Sequence, residues 1–343
     1  MEEESYEQKT EEKLAERMIF DEEDQFRYES TISLDETEQN KSRVLTYNKA
    51  GECLHTLGKC IALHEYAYLS LDASDRDLTD INVILSFKHV RHVNVSGNRL
   101  TSEALRVLEA MPYLQTLQAD RNCLTSAELN PMPYLQELSL NQNKLRDAAG
   151  IHHRLLERLE LNHNDICTVA IDPENLPNLK TLELRGNALV NTTGICCPTL
   201  TRLFLAENQI EKIEGLDALV NLRTLHLRHN KLANLDGFTK RCHSLKYLNL
   251  RNNEISRISE LEKLSCLSNL ETLIILGNPF LKEEAKEEEE KEAKQEYRYI
   301  ILTILPKLKR IDKDPVLDFE RNEVKLRKIQ KNKLNSEKFD LKD

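Results

Sequence analysis

LRTLHLRHNKL, residues 222–232, sets Leu222, Leu225, Leu227 and Leu232 around one asparagine, Asn230. The spacing L-x-x-L-x-L-x-x-N-x-L recurs upstream as VRHVNVSGNRL (90–100), LQTLQADRNCL (114–124), LQELSLNQNKL (135–145), LERLELNHNDI (156–166), LKTLELRGNAL (179–189) and LTRLFLAENQI (200–210). Downstream it returns as LKYLNLRNNEI (245–255) and LETLIILGNPF (270–280). The asparagines Asn98, Asn122, Asn143, Asn164, Asn187, Asn208, Asn230, Asn253 and Asn278 are 21 to 25 residues apart. A degenerate tenth copy, YLSLDASDRDL (68–78), lacks the asparagine and suits an entry repeat.

Nine copies in register specify a leucine-rich-repeat solenoid. In each L-x-L the alternate side chains of a short strand face opposite ways, so leucines enter the core and the x residues leave it. The expected fold is α/β: a curved right-handed solenoid of 22-residue repeats, with a parallel sheet on its concave face. An asparagine at the exit of each strand donates and accepts, and stacked asparagines satisfy turn groups the core would otherwise bury unpaired. The return halves, IEKIEGL (210–216), LANLDGF (232–238) and LVNTTGI (189–195), are too short for long helices. Short 3₁₀ or single-turn helices are expected on the convex side.

Solenoid ends expose core and need caps. Residues 68–281 form the solenoid. YRYIILTILPKLKRID (297–312), with Leu308 and Ile311, reads as a helical C-terminal cap behind an acidic insertion, together spanning 282–312. Residues 51–67 are expected to form a helical N-terminal cap, and 1–50 an acidic disordered tail. Residues 313–343, with Val316, Phe319, Leu326 and Ile329 among many lysines and arginines, read as a charged helix leaving the body.

Of the formal charge of −10, residues 1–40 hold more than all, with fifteen carboxylates against four basic side chains. The remaining body is near neutral, which argues against nucleic-acid binding by bulk charge. MEEESYEQKTEEK has no basic or apolar signal region, and no apolar run is long enough to span a membrane. The eight cysteines include no C-x-x-C pair, so reduced structural thiols are expected, and the sequons at Asn94 and Asn191 carry no weight.

RDLTDI (76–81), LELRGNAL (182–189), LFLAENQIEKIEGLDALVNLRTLHLRHNKL (203–232) and SLKYLNLRNNEI (244–255) resemble the leucine-rich repeat-containing protein 23 family. The likeness covers about 70–312 and is strongest over 176–280. It implies a structural component of the radial spokes of motile cilia and sperm flagella, with the third spoke expected. Partners would be other spoke or axonemal proteins, acidic surfaces or tubulin tails. The place would be the cytoskeleton of the cytoplasm and the axoneme. The acidic insertion and short lysine-rich end depart from the family pattern, so contacts of its C-terminal extension are not carried over. The nuclear phosphatase-1 regulatory subunit shares the repeat class and supplies the alternative, a cytosolic regulatory scaffold. Its concave face is acidic and aromatic, whereas this one turns basic. The nearest docking motif here, Arg43-Val44-Leu45-Thr46, has threonine where an aromatic is needed. The axonemal dynein light chain of this class is much shorter.

No phosphate loop, G-x-S-x-G elbow or H-E-x-x-H is present, and nothing sets a nucleophile beside a base, so neither catalysis nor a cofactor, small-molecule substrate or membrane is expected. A metal at His226 and His229 is the sharp alternative, but stacking brings Arg228 and Arg251 alongside, and a cation would be repelled. Recognition remains. Early coils turn outward Asn94, Gln118, Asp120, Ser139, Asn141, Glu160 and Asn162; later coils turn outward Arg185, Arg202, Phe204, His226, Arg228, Tyr247 and Arg251. Arginine beside tyrosine and phenylalanine is the composition of an interface hot spot suited to a carboxylate-rich partner. The bland reading is that charged x positions only solvate the sheet.

Overall fold

The computed structural model describes residues 43–59, 66–280 and 287–340. The first 42 residues of the expected tail, residues 60–65 of the expected N-terminal cap, the start of the acidic insertion (281–286) and the last three residues lie outside these. One thirteen-stranded sheet runs in chain order: β1 (Leu54–Lys59), β2 (Tyr66–Asp72), β3 (His92–Asn94), β4 (Thr116–Gln118), β5 (Glu137–Ser139), β6 (Arg158–Glu160), β7 (Thr181–Glu183), β8 (Arg202–Phe204), β9 (Thr224–His226), β10 (Tyr247–Asn249), β11 (Thr272–Ile274), β12 (Arg310–Ile311) and β13 (Asp314–Pro315). From β2 to β12 every pairing is parallel and in register, so Leu117, Leu138, Leu159, Leu182, Leu203, Leu225, Leu248 and Leu273 stack in one buried column. This is a leucine-rich-repeat solenoid. Its coils stack at about 4.8 Å, the distance between hydrogen-bonded strands.

The return side is thin, as the short return halves require. It holds 3₁₀ turns at Asn82–Ser86, Arg106–Ala110, Leu216–Ala218, Lys240–Cys242 and Ile258–Cys266, and one α-helical turn, α2 (Ser102–Leu105). Between Leu129 and Lys212 even these give way to isolated parallel bridges, such as Leu129 to Ile151 and Asn191 to Lys212. Glycine ahead of the apolar plug has a steric cause. A Cβ on Gly194 (φ +80°) would meet the Val169 carbonyl of the preceding coil at 1.8 Å, and one on Gly237 (φ +102°) the Ile213 carbonyl at 2.2 Å.

Both ends depart from expectation. Helix α1 covers Tyr47–Glu52, and the chain then forms a β-hairpin with β1 antiparallel to β2, where a helix over 51–67 was expected. The reason is the sheet's edge: β2 would leave a row of peptide groups unpaired, and β1 satisfies it. The solenoid also begins earlier than the expected tail boundary at 50. Val44 bridges Asp80, and Leu45 and Ala50 are fully buried.

At the other end α3 (Glu287–Ile304) buries Tyr297, Tyr299, Ile301 and Leu302, and Leu305, Leu308 and Ile311 complete the seal. Asp312 accepts from the Ile275 and Leu276 amides (2.8 and 3.1 Å) and from the Tyr297 hydroxyl, so the last coil's amides are capped. Helix α4 (Asp318–Asp340) does not simply leave the body. Arg298 and Glu320 form a buried ion pair (2.6 Å), Arg321 donates to the Pro306 and Leu308 carbonyls, and Arg327 pairs with Glu296 while its guanidinium lies 4.5 Å over Tyr299. Val324 is buried and Val316 packs against the core, whereas Phe319, Leu326 and Ile329 face outward. Polar anchors, rather than the apolar stripe, therefore dock this helix. Among the described residues no helix is long and apolar enough to cross a membrane.

Candidate protein-binding face

Strand register builds the concave face column by column. The nine asparagines form a buried ladder behind it. Asn230 Nδ2 donates to the Leu205 carbonyl of the preceding coil and to Leu227 of its own (2.9 and 3.0 Å), while its Oδ1 accepts from the Ile210 amide (3.0 Å). Asn98, Asn122, Asn143, Asn164, Asn187, Asn208, Asn253 and Asn278 repeat the pattern, each 2–8% exposed.

In front of them, Phe204, His226 and Tyr247 stack across three strands with ring centroids 4.8 Å apart at each step. Confinement between the rings, then the charge of Arg228, push the His226 imidazole down to about 3. Some ring edge stays accessible, yet both faces are covered, so His226 is a neutral spacer in an aromatic slab and adds nothing to the expected basic character. Burial likewise pushes the Tyr247 hydroxyl up to about 12. Arg202 flanks the slab with its Nε donating to Thr181 Oγ1 (3.0 Å).

Arg185, Ala206, Arg228 and Arg251 share a column, as their cross-coil backbone bonds show. They are not the plain basic ridge expected, because Glu207 bridges two of them: its carboxylate meets Arg185 at 2.9 Å and Arg228 at 3.2 Å. Burial pushes that carboxyl up, but the Arg185 hydrogen bond and the two guanidinium charges outweigh it and hold it below its ordinary range. Glu207 belongs to a rim column that sequence reasoning missed. The residue before each ladder asparagine is left-handed, as in Arg121, Gln142, His163, Glu207, His229 and Asn252, with Gly97, Gly186 and Gly277 taking the same place. The signal was present in the invariant position, since a turn that tight bends the side chain back over the face. His229 sits here and receives Asn252 Nδ2 (3.0 Å to Nε2), so it diverges from His226. Among the described residues no three metal-ligating side chains converge.

The earlier coils carry a self-compensated acidic network. Ser139 Oγ donates to Asp120 (2.7 Å), Asn141 Nδ2 to Glu160 (3.1 Å), Asn162 Nδ2 to Glu183 (3.1 Å), and Arg158 pairs with both Glu160 and Glu183 (2.5 and 2.9 Å). Burial pushes the Asp120 and Glu183 carboxyls up, and neighbouring Glu160 adds to it. Asn94 and Gln118 complete this polar half. A shallow hollow of about 270 Å³ lies over Gln118, Asp120, Glu137 and Glu160. The face thus passes from polar-acidic to aromatic-cationic along the stack, and its side chains are held in place before any partner arrives.

Such a face on such a scaffold defines the class: a leucine-rich-repeat protein-interaction scaffold. Family models for leucine-rich repeats match residues 88–108, 198–240 and 220–280. Leucine-rich repeat-containing protein 23 of Bos taurus is 40% identical over 259 residues, covering 75% of this chain and 72% of the relative, and those of Homo sapiens and Mus musculus are 38% and 43% identical over the same shares. The chain belongs to the leucine-rich repeat-containing protein 23 family. Among solved structures the functional domain of InlJ from Listeria monocytogenes aligns at TM-score 0.52 and 21% identity, over 71% of this chain and 48% of that one. A chain of the LRIM1/APL1C complex aligns at 0.51 and 24%, over 62% and 39%. These two share the fold.

Proposed function

We propose that this protein is a structural scaffold of the axonemal radial spoke, with the third spoke as its place, supporting the beating of cilia and sperm flagella. Its family membership supports the reading. The observation that carries it is the rigid slab of Phe204, His226 and Tyr247 beside Arg202, Arg228 and Arg251, which fits an interface and offers no chemistry. Aromatic rings and guanidiniums anchor protein partners through large contact area and directional pairing with carboxylates. The partners are other spoke proteins or acidic surfaces such as tubulin tails, and the place of work is the ciliary axoneme.

Fractionation tests it. After detergent removes the membrane and moderate salt washes the axoneme, the protein should stay on the doublets and disappear from spoke-deficient axonemes. Co-purification with a soluble phosphatase instead would favour a cytosolic regulatory scaffold. Arg228→Glu combined with Arg251→Glu should lower retention about tenfold or more, the usual loss when interface hot spots are reversed. The melting temperature should barely move, because partly exposed ion pairs contribute little to stability.

A further inference from the structure

A second ladder runs along the turns that enter the strands. From Asn178 onward, the residue before each repeat's first leucine hands a hydrogen bond to the preceding coil: Asn178 Nδ2 to Arg154 O (2.8 Å), Thr199 Oγ1 to Leu179 O (2.9 Å), Asn221 Nδ2 to Pro198 O (2.9 Å), Ser244 Oγ to Val220 O (2.7 Å) and Asn269 Nδ2 to His243 O (2.8 Å). In the four earlier coils His89, Tyr113, Tyr134 and Leu155 occupy this position. Tyr113, Tyr134 and Leu155 are 46%, 48% and 40% exposed.

The fold gains little from that exchange. Large apolar side chains stand in water, and among the described residues no donor reaches the Lys88, Pro112 or Pro133 carbonyls. Those are the counterparts of the Arg154, Pro198, Val220 and His243 carbonyls that later coils satisfy, Thr199 reaching Leu179 instead. An asparagine at each place would remove both deficits. What the row offers is regular: His89 and Tyr113 have ring centroids 6.5 Å apart, Tyr113 and Tyr134 6.3 Å. That is close to the roughly 6.6 Å between alternate side chains of an extended chain. Lys88, Arg91 and Arg154 border the row, and among the described residues no carboxylate lies within ion-pair distance of any of them. The one carboxylate in the Arg91 column of these coils, Glu157, is already paired with Lys180 (2.9 Å).

We propose that this row is a second docking face, which takes an extended, carboxylate-rich segment of a partner protein. Alternate apolar side chains of the segment sit between the rings, its amides meet the open carbonyls, and its carboxylates meet Lys88, Arg91 and Arg154. The inference rests on the chain being a protein-interaction scaffold and gives that scaffold two separate sites.

The probe is a short fluorescein-labelled synthetic peptide alternating glutamate with leucine and proline, with a lysine-for-glutamate counterpart, titrated into the full chain by fluorescence anisotropy. The glutamate peptide should bind and the lysine peptide should not. Tyr113→Asn, Tyr134→Asn and Leu155→Asn together should weaken binding about tenfold or more, the scale of losing interface anchors. The same triple variant should melt no lower than the parent, since each asparagine can reach a carbonyl. Arg228→Glu with Arg251→Glu should leave in place the part of the binding that the triple variant removes, whatever the peptide loses at the concave face. Failure of the parent chain to bind, equal binding by the triple variant, or preference for the lysine peptide would overturn the proposal. So would a loss confined to the concave-face variant, a self-association that the triple variant abolishes, or a lower melting temperature, which marks the rings as packing groups. Ciliary fractionation has no bearing on any of these outcomes.

Discussion

A single ladder asparagine shows how tightly the core is specified. Removing the Asn230 amide orphans the Ile210 amide, while the Leu205 and Leu227 carbonyls each lose one of two donors and keep Asn208 and Asn253. A buried unsatisfied group costs about 1–3 kcal/mol, so Asn230→Ala should lower stability by about that much in denaturant titration while leaving the concave side chains in place. His153 makes the opposite kind of case. It fills a plug position that other coils give to Met132, Leu176 or Cys197, is fully buried, and accepts the Met132 amide on Nδ1 (3.2 Å), leaving Nε2 without a partner. Burial, then His152, push its imidazole down to about 4 from 6.5. Between those values the unfolded chain binds a proton that the folded chain refuses. Its contribution is therefore complete above pH 6.5 and is lost as pH falls toward 4, on the order of 3 kcal/mol. His153→Leu should flatten the acid limb of a melting-temperature profile. Asp120 and Glu183 act in the opposite sense but persist in the variant, so the difference between profiles isolates His153.

At the scale of elements, the docking of α4 on α3 depends on one buried pair. Arg298 and Glu320 are 12% and 5% exposed at their side chains, and Arg298 also donates to the Ile311 and Pro315 carbonyls. Breaking a buried pair from one side costs about 3–5 kcal/mol, because the remaining charge is stranded. Arg298→Met should therefore speed hydrogen exchange across 297–340 and the β11–β12 edge. Exchange at β5, several coils away, should hardly change, since repeat solenoids couple mainly to their neighbours. A uniform rise along the whole stack would contradict this. These terminal elements were the least legible in the sequence. Cys53, Leu57 and Cys60 are spaced as a helix stripe would be, yet an unpaired sheet edge recruited the segment as a strand. The anchors of α4 are arginines, and an apolar pattern gives no weight to Arg298, Arg321 or Arg327.

Across the molecule, periodicity decided what could be read beforehand. The column of core leucines, the asparagine ladder and the pairing of Phe204 with His226 follow from a repeat length, because parallel in-register pairing brings equal positions together. Tyr247 does not follow from it: the register partner of His226 is Asn249, and the Tyr247 ring reaches His226 from the neighbouring column. Nor does charge compensation. Whether Glu207 reaches Arg185 and Arg228 depends on how a rim side chain folds over a left-handed turn, and whether Arg158 reaches Glu183 depends on the rotamers of two strand residues; no repeat count contains either. The later coils' turn ladder was equally readable in principle, but its meaning lies in the four places where it stops.

The antiparallel closures at β1 and β13 set a limit on assembly. A parallel stack with open ends is a seed for polymerisation, since another coil adds to it at the cost of a few hydrogen bonds. Here the terminal strand at each end runs the wrong way for another coil, and Pro315 removes a donor from the far edge. The stack between them is a ruler of fixed length, eleven strands or about 48 Å from β2 to β12. Neither end can therefore extend the stack in its own parallel register, so the number of coils is set within the chain.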